Sequence, residues 1–182
     1  MTLQASGAIT IAQINAEFGL GNNLNAYRGV TWYTDAGGTG TFSSGALSMN
    51  AFYSKRATAP STSHSVTEGS YSVTNGFSSN SAFSGGTFGS MSPTTTLGGR
   101  TIAVFSRTDV KGSTFCYFGV SGSHTGSWWT YGTYRGTTFY RANTAVPAGS
   151  YDSGADLTYW VLGTGQIPGF SGSGTYTLLV YP

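Results

Sequence analysis

The clearest helical pattern lies near the start of the chain. Ile11, Ile14 and Phe18 recur at spacings of three and four residues and so share one face of a helix. Thr10 precedes them as a candidate N-cap, Gln13 completes a capping box, and Gly19 offers a stop. The phrase that introduces this turn, Ser6-Gly7-Ala8-Ile9-Thr10-Ile11, returns as Ser44-Gly45-Ala46-Leu47-Ser48-Met49. There Ser48 can cap a stub over Met49-Asn50-Ala51-Phe52-Tyr53, and Lys55 and Arg56 stand where cations suit a helix C-terminus. The two capped turns mark residues 1–56 as one small module.

Beyond it the texture changes. Ala57-Thr58-Ala59-Pro60-Ser61-Thr62-Ser63 has no apolar period and reads as a linker over 57–63. Over 64–182, apolar strand-like runs recur between Gly, Ser and Pro punctuation, best at 101–106, 114–121, 137–141, 157–162 and 175–181. In the last run Tyr176, Leu178 and Val180 alternate with Thr175, Thr177, Leu179 and Tyr181, the period-two signature of a half-buried strand. The chain is thus expected to be mainly β. A small N-terminal module with two short helices precedes an antiparallel β-sandwich or jelly-roll-like domain.

Composition sharpens this picture. Only 8% of the 182 residues are charged, Gly supplies 28 of them, and aromatics reach 15%, so Ser, Thr, Asn and Gly must hydrate the surface. A net charge of +2 with abundant aromatic and β-branched residues excludes a disordered chain. With so little edge charge, neighbouring copies are expected to cover strand edges, which points to a homo-oligomer. The cations Arg28, Arg56, Arg100, Arg107, Arg135 and Arg141 are scattered, which argues against a nucleic-acid footprint. No segment reaches the ~20 apolar residues of a membrane-spanning helix, and the N-terminus lacks the pattern of a signal peptide.

Catalytic signals are sparse. Cys116 is the only cysteine, so no intrachain disulfide or multi-cysteine zinc site can form, and it lies in an apolar run that predicts a buried, inert thiol. Asp152 and Asp156 are the one close pair of acids and read as turn residues; His64 and His124 stand in no triad context, and no Gly-x-Ser-x-Gly elbow occurs. Neither a metal nor a cofactor is expected. The remaining candidate chemistry is aromatic. Trp128, Trp129, Tyr131, Tyr134, Phe139 and Tyr140 crowd together beside Arg135, and exposed rings of this kind stack on sugars. Trp128, Trp129, Tyr131 and Tyr134 are the candidate glycan contacts. The competing reading sends about half of such rings into the core, because adjacent strand residues face opposite sides.

The stretches Gly7-Ala8-Ile9-Thr10-Ile11-Ala12-Gln13-Ile14-Asn15-Ala16-Glu17-Phe18-Gly19, Leu24-Asn25-Ala26-Tyr27-Arg28-Gly29-Val30 and Gly45-Ala46-Leu47-Ser48-Met49-Asn50-Ala51-Phe52-Tyr53-Ser54-Lys55 together resemble an N-terminal module of virion proteins of tailed bacteriophages. Ser54 departs from that pattern, which more often has Gly there. A second run, Phe88-Gly89-Ser90-Met91-Ser92-Pro93-Thr94-Thr95 followed by Gly99-Arg100-Thr101-Ile102-Ala103-Val104-Phe105, resembles a β-domain phrase of phage and bacterial surface-type proteins. The resemblance implies a non-enzymatic virion component, assembled in the host cytoplasm. Its partners would be tail or capsid subunits and, through the β domain, a host surface glycan. On that expectation Ile11, Ile14, Phe18, Tyr27, Trp32, Met49, Phe52 and Tyr53 are the candidate docking residues. A tail fibre or adhesin-like subunit leads, a capsid decoration protein follows, and a glycan-binding or glycan-degrading domain is the third reading.

Overall fold

The computed structural model describes residues 2–35, 38–96, 99–124, 131–140, 149–162 and 169–181, with only the backbone of Tyr131, Phe139 and Tyr140. The chain divides between Pro60 and Ser61 into two compact units.

The N-terminal unit is organised by its capped helix. In α1 (Ile11–Phe18), Thr10 Oγ1 accepts from the Gln13 amide, the Gln13 side chain accepts from the Thr10 amide, and Gly19 closes the helix at φ 73°. A 3-10 helix over Leu24–Tyr27 follows, capped by Asn23, and then the two-stranded hairpin β1 (Thr31–Tyr33) and β2 (Thr39–Thr41). The second stub is a 3-10 helix over Met49–Phe52. It corrects two expectations. The Ser48 hydroxyl turns to the Asn50 side chain instead of capping the helix. The helix ends before the basic pair, which is used sideways: the Lys55 ammonium lies 3.4 Å from the centre of the Trp32 ring, and Arg56 pairs with Asp35 at 3.1 Å. Leu3 donates to the Lys55 carbonyl and Ser54 to the Gln4 carbonyl, so the two ends of the unit are stitched together.

The second unit is an antiparallel sandwich. Among the described residues its strands are β3 (Thr62–Thr67), β4 (Gly69–Tyr71), β5 (Thr74–Ser78), β6 (Ser90–Ser92), β7 (Ile102–Val110), β8 (Ser113–Ser121), β9 (Tyr131–Tyr134), β10 (Thr137–Tyr140), β11 (Ser150–Asp152), β12 (Leu157–Leu162) and β13 (Thr175–Tyr181). One sheet has the order β10-β9-β13-β3-β6 and the other β11-β12-β8-β7-β5-β4. β3 begins inside the segment expected to be a linker, because Thr62 and Ser63 pair with Val180 and Leu179.

The core lies between the sheets. Val66, Met91, Tyr134, Tyr176, Leu178 and Val180 from the first meet Phe77, Phe105, Phe118, Val120 and Trp160 from the second. In β13 the alternation is as read from the sequence, with Tyr176, Leu178 and Val180 buried. Across the six-stranded sheet Phe77, Phe105, Phe118 and Trp160 stand in register and form one continuous inward row. All four edge strands are only three or four residues long, so each edge offers few unpaired backbone groups even without charge.

Two polar groups are sealed into this core. The Glu68 side chain is buried and accepts from the Tyr134 hydroxyl at 2.6 Å, the Ser171 amide at 2.7 Å and the Gly172 amide at 2.8 Å, with Arg135 at 3.3 Å. Burial alone would raise its pKa, but the bonds from Tyr134 and Ser171 outweigh it and hold the carboxyl below the usual range. His64, fully buried, donates from Nδ1 to the Pro93 carbonyl at 2.6 Å, and its Nε2 has no hydrogen-bond partner among the described residues.

Candidate functional site

The candidate docking residues converge, but on the interior of the N-terminal unit. Ile14, Tyr27 and Phe52 are buried with Ile9 and Phe42, and Ile11, Phe18, Trp32, Met49 and Tyr53 pack against that cluster. Phe52 is its hub, with ring centres 4.3 Å from Phe42, 5.5 Å from Tyr27 and 6.0 Å from Phe18. The pattern that nominated these residues is therefore the pattern of a core. A charge at Ile14 or Phe52, both fully buried, would act by unfolding the unit, whereas Ile11, Phe18, Trp32, Met49 and Tyr53 are only partly buried and keep part of their surface outward.

Of the aromatic crowd and the cation beside it, Tyr134 and Arg135 are the members whose side chains the structure describes. Trp128 and Trp129 lie outside the described residues, and Tyr131 is described only by its backbone on β9. Tyr134 is corrected from ligand contact to core: it is 3% exposed, its ring centre lies 4.2 Å from that of Tyr176 and 5.2 Å from that of Phe170, and its hydroxyl serves Glu68. Asp152 ends β11 and Asp156 lies in the turn that follows it. Asp152 Oδ1 accepts from the Gly154 and Ala155 amides, and Asp156 accepts from the Tyr151 hydroxyl. Cys116 is fully buried, and burial pushes its thiol far above the range in which it would ionise. Among the described residues, no group of three His, Cys, Asp or Glu side chains gathers as metal ligands would, and no helix is long and apolar enough to cross a membrane.

One feature with ligand-binding geometry is a groove of about 350 Å³ on the outer face of the six-stranded sheet, lined among the described residues by Thr74, Phe83, Ser84, Ser106, Thr108, Tyr117, Asp152 and Tyr159. Its construction follows from strand alternation. In β8, Cys116 and Phe118 point into the sandwich and so turn Tyr117 outward; in β12, Trp160 does the same for Tyr159. Thr74 and Thr108 stand opposite each other on β5 and β7 and share a hydroxyl bond of 3.0 Å.

A single helical turn, α2 (Ser81–Ser84), closes one side. Asn80 caps its N-terminus and ties it to the turn before β12: its Oδ1 accepts from the Phe83 amide at 3.0 Å, and its Nδ2 donates to the Ala155 carbonyl at 2.7 Å. Phe83 is thereby set edge-on to Tyr117 (5.4 Å) and tilted against Tyr159 (4.9 Å). Phe115, 40% exposed, stacks beside Tyr117 and extends the aromatic surface.

The groove pairs this aromatic wall with a wall of hydroxyls and holds one carboxylate and no cation among its lining residues. Sequence reasoning missed it. β8 is apolar on both faces, so alternation alone could not tell Tyr117 from Phe118. The Asn80 cap before Ser81 was the local signal that could have placed Phe83. No family model matches the chain, and no curated protein or solved structure matches it.

Proposed function

We propose that the protein is a non-enzymatic structural subunit of a tailed-bacteriophage particle, a tail-associated fibre or adhesin-like component. Residues 1–60 attach it to other virion proteins and the sandwich faces the host. The observation that carries this reading is the N-terminal unit. The segments that resemble the phage module are the ones that close on a private core of Ile9, Ile14, Tyr27, Phe42 and Phe52, as expected of a portable attachment domain. The weakly charged sandwich, hydrated by hydroxyl and glycine positions, fits the projecting part. Neither metal, cofactor nor covalent chemistry enters this role.

The test is incorporation. Deleting residues 1–60 is expected to abolish recovery of the protein in purified particles, while a fragment ending at Ser63 still enters them. Particles that take up the truncated sandwich normally would defeat the proposal. Incubating the purified protein with host surface polysaccharide and sizing the products is expected to show no depolymerisation.

A further inference from the structure

We infer that the outer-face groove of the six-stranded sheet binds a neutral sugar ring. The inference deepens the host-facing reading of the sandwich and rests on it for its biological role, although the binding itself can be measured without it. Three observations carry it. First, Ser106 lines the groove while being only 2% exposed, and its hydroxyl has no hydrogen-bond partner among the described residues. Opening onto the groove, that hydroxyl bonds to water there and is free to pair instead with a ligand that displaces the water.

Second, Tyr117 and Tyr159 carry their rings on this face with hydroxyls that likewise make no hydrogen bond among the described residues. Thr74 and Thr108 are paired only with each other there, so both oxygens can still accept. Third, the charge pattern selects the ligand class. Asp152 Oδ1 is occupied by the Gly154 and Ala155 amides, whereas Oδ2 takes part in neither bond and can accept from a hydroxyl. With a carboxylate present and no Lys or Arg in the lining, a phosphate, sulfate or sialic-type carboxylate would be repelled.

A purely apolar ligand would strand the hydroxyl wall. A sugar ring satisfies both walls. Its hydroxyls donate and accept as Ser, Thr and Tyr do, and its C–H face packs on aromatic rings. The volume, about 350 Å³, falls at the small end of the ~300–1,000 Å³ typical of ligand clefts and suits a single residue of a glycan better than a long chain.

The experiment is saturation-transfer NMR and titration of the full chain with glucose, galactose and N-acetylglucosamine, with sialic acid and glucose 6-phosphate as anionic counterparts. At least one neutral sugar is expected to receive saturation on its ring C–H protons. Ser106→Ala and Tyr117→Leu are each expected to weaken that binding about tenfold. Ser106→Ala removes one unpaired oxygen from a strand, so it tests the site without threatening the fold; an unchanged melting temperature confirms this for both variants. Three results would overturn the inference: no neutral sugar binding, binding indifferent to both substitutions, or tighter binding of the anionic sugars. Particle incorporation of Ser106→Ala, measured in parallel, is expected to be normal. Loss of sugar binding with normal incorporation would therefore fault the groove alone, and sugar binding by a protein that never enters particles would fault the virion role alone.

Discussion

Ser54 sits at φ 56°, in the left-handed region that glycine adopts freely and a side chain does not. It is also the position at which the resembled phage module more often has Gly, so the departure noted in the sequence has a physical cost. Ser54→Gly should stabilise the N-terminal unit, the relief of left-handed strain exceeding the added freedom of the unfolded chain, for a net gain of about 0.5 kcal/mol. A higher urea midpoint for the unit's transition is the expected outcome; a lower one would show that the Ser54 backbone is not strained.

The same scale explains why the site residues were only partly legible. Apolar periodicity set Ile11, Ile14 and Phe18 on one helix face and the resemblance added Tyr27 and Phe52, but an apolar, periodic position cannot by itself distinguish a core from a docking face. Tyr134 was nominated for its ring, and its destination was set by Glu68, which lies 66 residues away in the chain.

Among elements, those with long apolar runs were readable. α1 has the predicted cap, length and stop, and β8, β12 and β13 fall within a residue of the expected runs, since burial on at least one face forces a regular pattern. The edge strands β4, β6 and β11 were not visible. Their three residues apiece, drawn largely from Ser, Gly and Tyr, are held by pairing with a longer neighbour and leave no periodicity of their own.

Two hairpins carried an unread local signal. Lys111-Gly112 between β7 and β8 and Arg135-Gly136 between β9 and β10 each place two successive residues at positive φ, 48° and 80° in the first and 46° and 77° in the second. These are the mirror-image turns that match strand twist and favour Asn-Gly. Lys111→Asn should therefore stabilise the β7–β8 hairpin by about 0.5 kcal/mol, since Asn tolerates the left-handed region better than Lys. Slower amide exchange in β7 and β8 would register the gain. Arg135 is a poorer target for the same change because its guanidinium also neutralises Glu68.

At the scale of the molecule, His64 and Glu68 tie the stability of the sandwich to pH. Burial lowers the His64 pKa below its ordinary value of 6.5, so the unfolded chain takes up this proton first and stability falls as pH drops below that value. Glu68, also depressed, adds stability that is complete above its ordinary value of 4.5 and disappears as pH falls further through its folded value. The melting temperature of the sandwich should thus be flat near neutrality, decline from about pH 6.5 and decline again below about pH 4.5. His64→Leu should remove the first decline. Glu68→Gln should shrink the second, to which Asp109 also contributes, and cost about 3 kcal/mol at neutral pH, because the Ser171 and Gly172 amides lose a charged acceptor. A profile unaltered by either substitution would assign the acid sensitivity elsewhere.

The place of β13 has a consequence in time. It lies in the middle of its sheet, between β3 and β9, yet it is the last strand of the sandwich to be synthesised. Thr67 and Thr175, which share a hydroxyl bond across that seam, are 108 residues apart. At the ~5–20 residues per second of translation, β3 waits roughly 5–20 s for its principal partner to be made. Once β9 has been made, and until β13 follows it, the nascent chain holds two strands whose facing edges have nothing between them. The growing polypeptide then carries unpaired strand edges that a sister copy on the same polysome can capture.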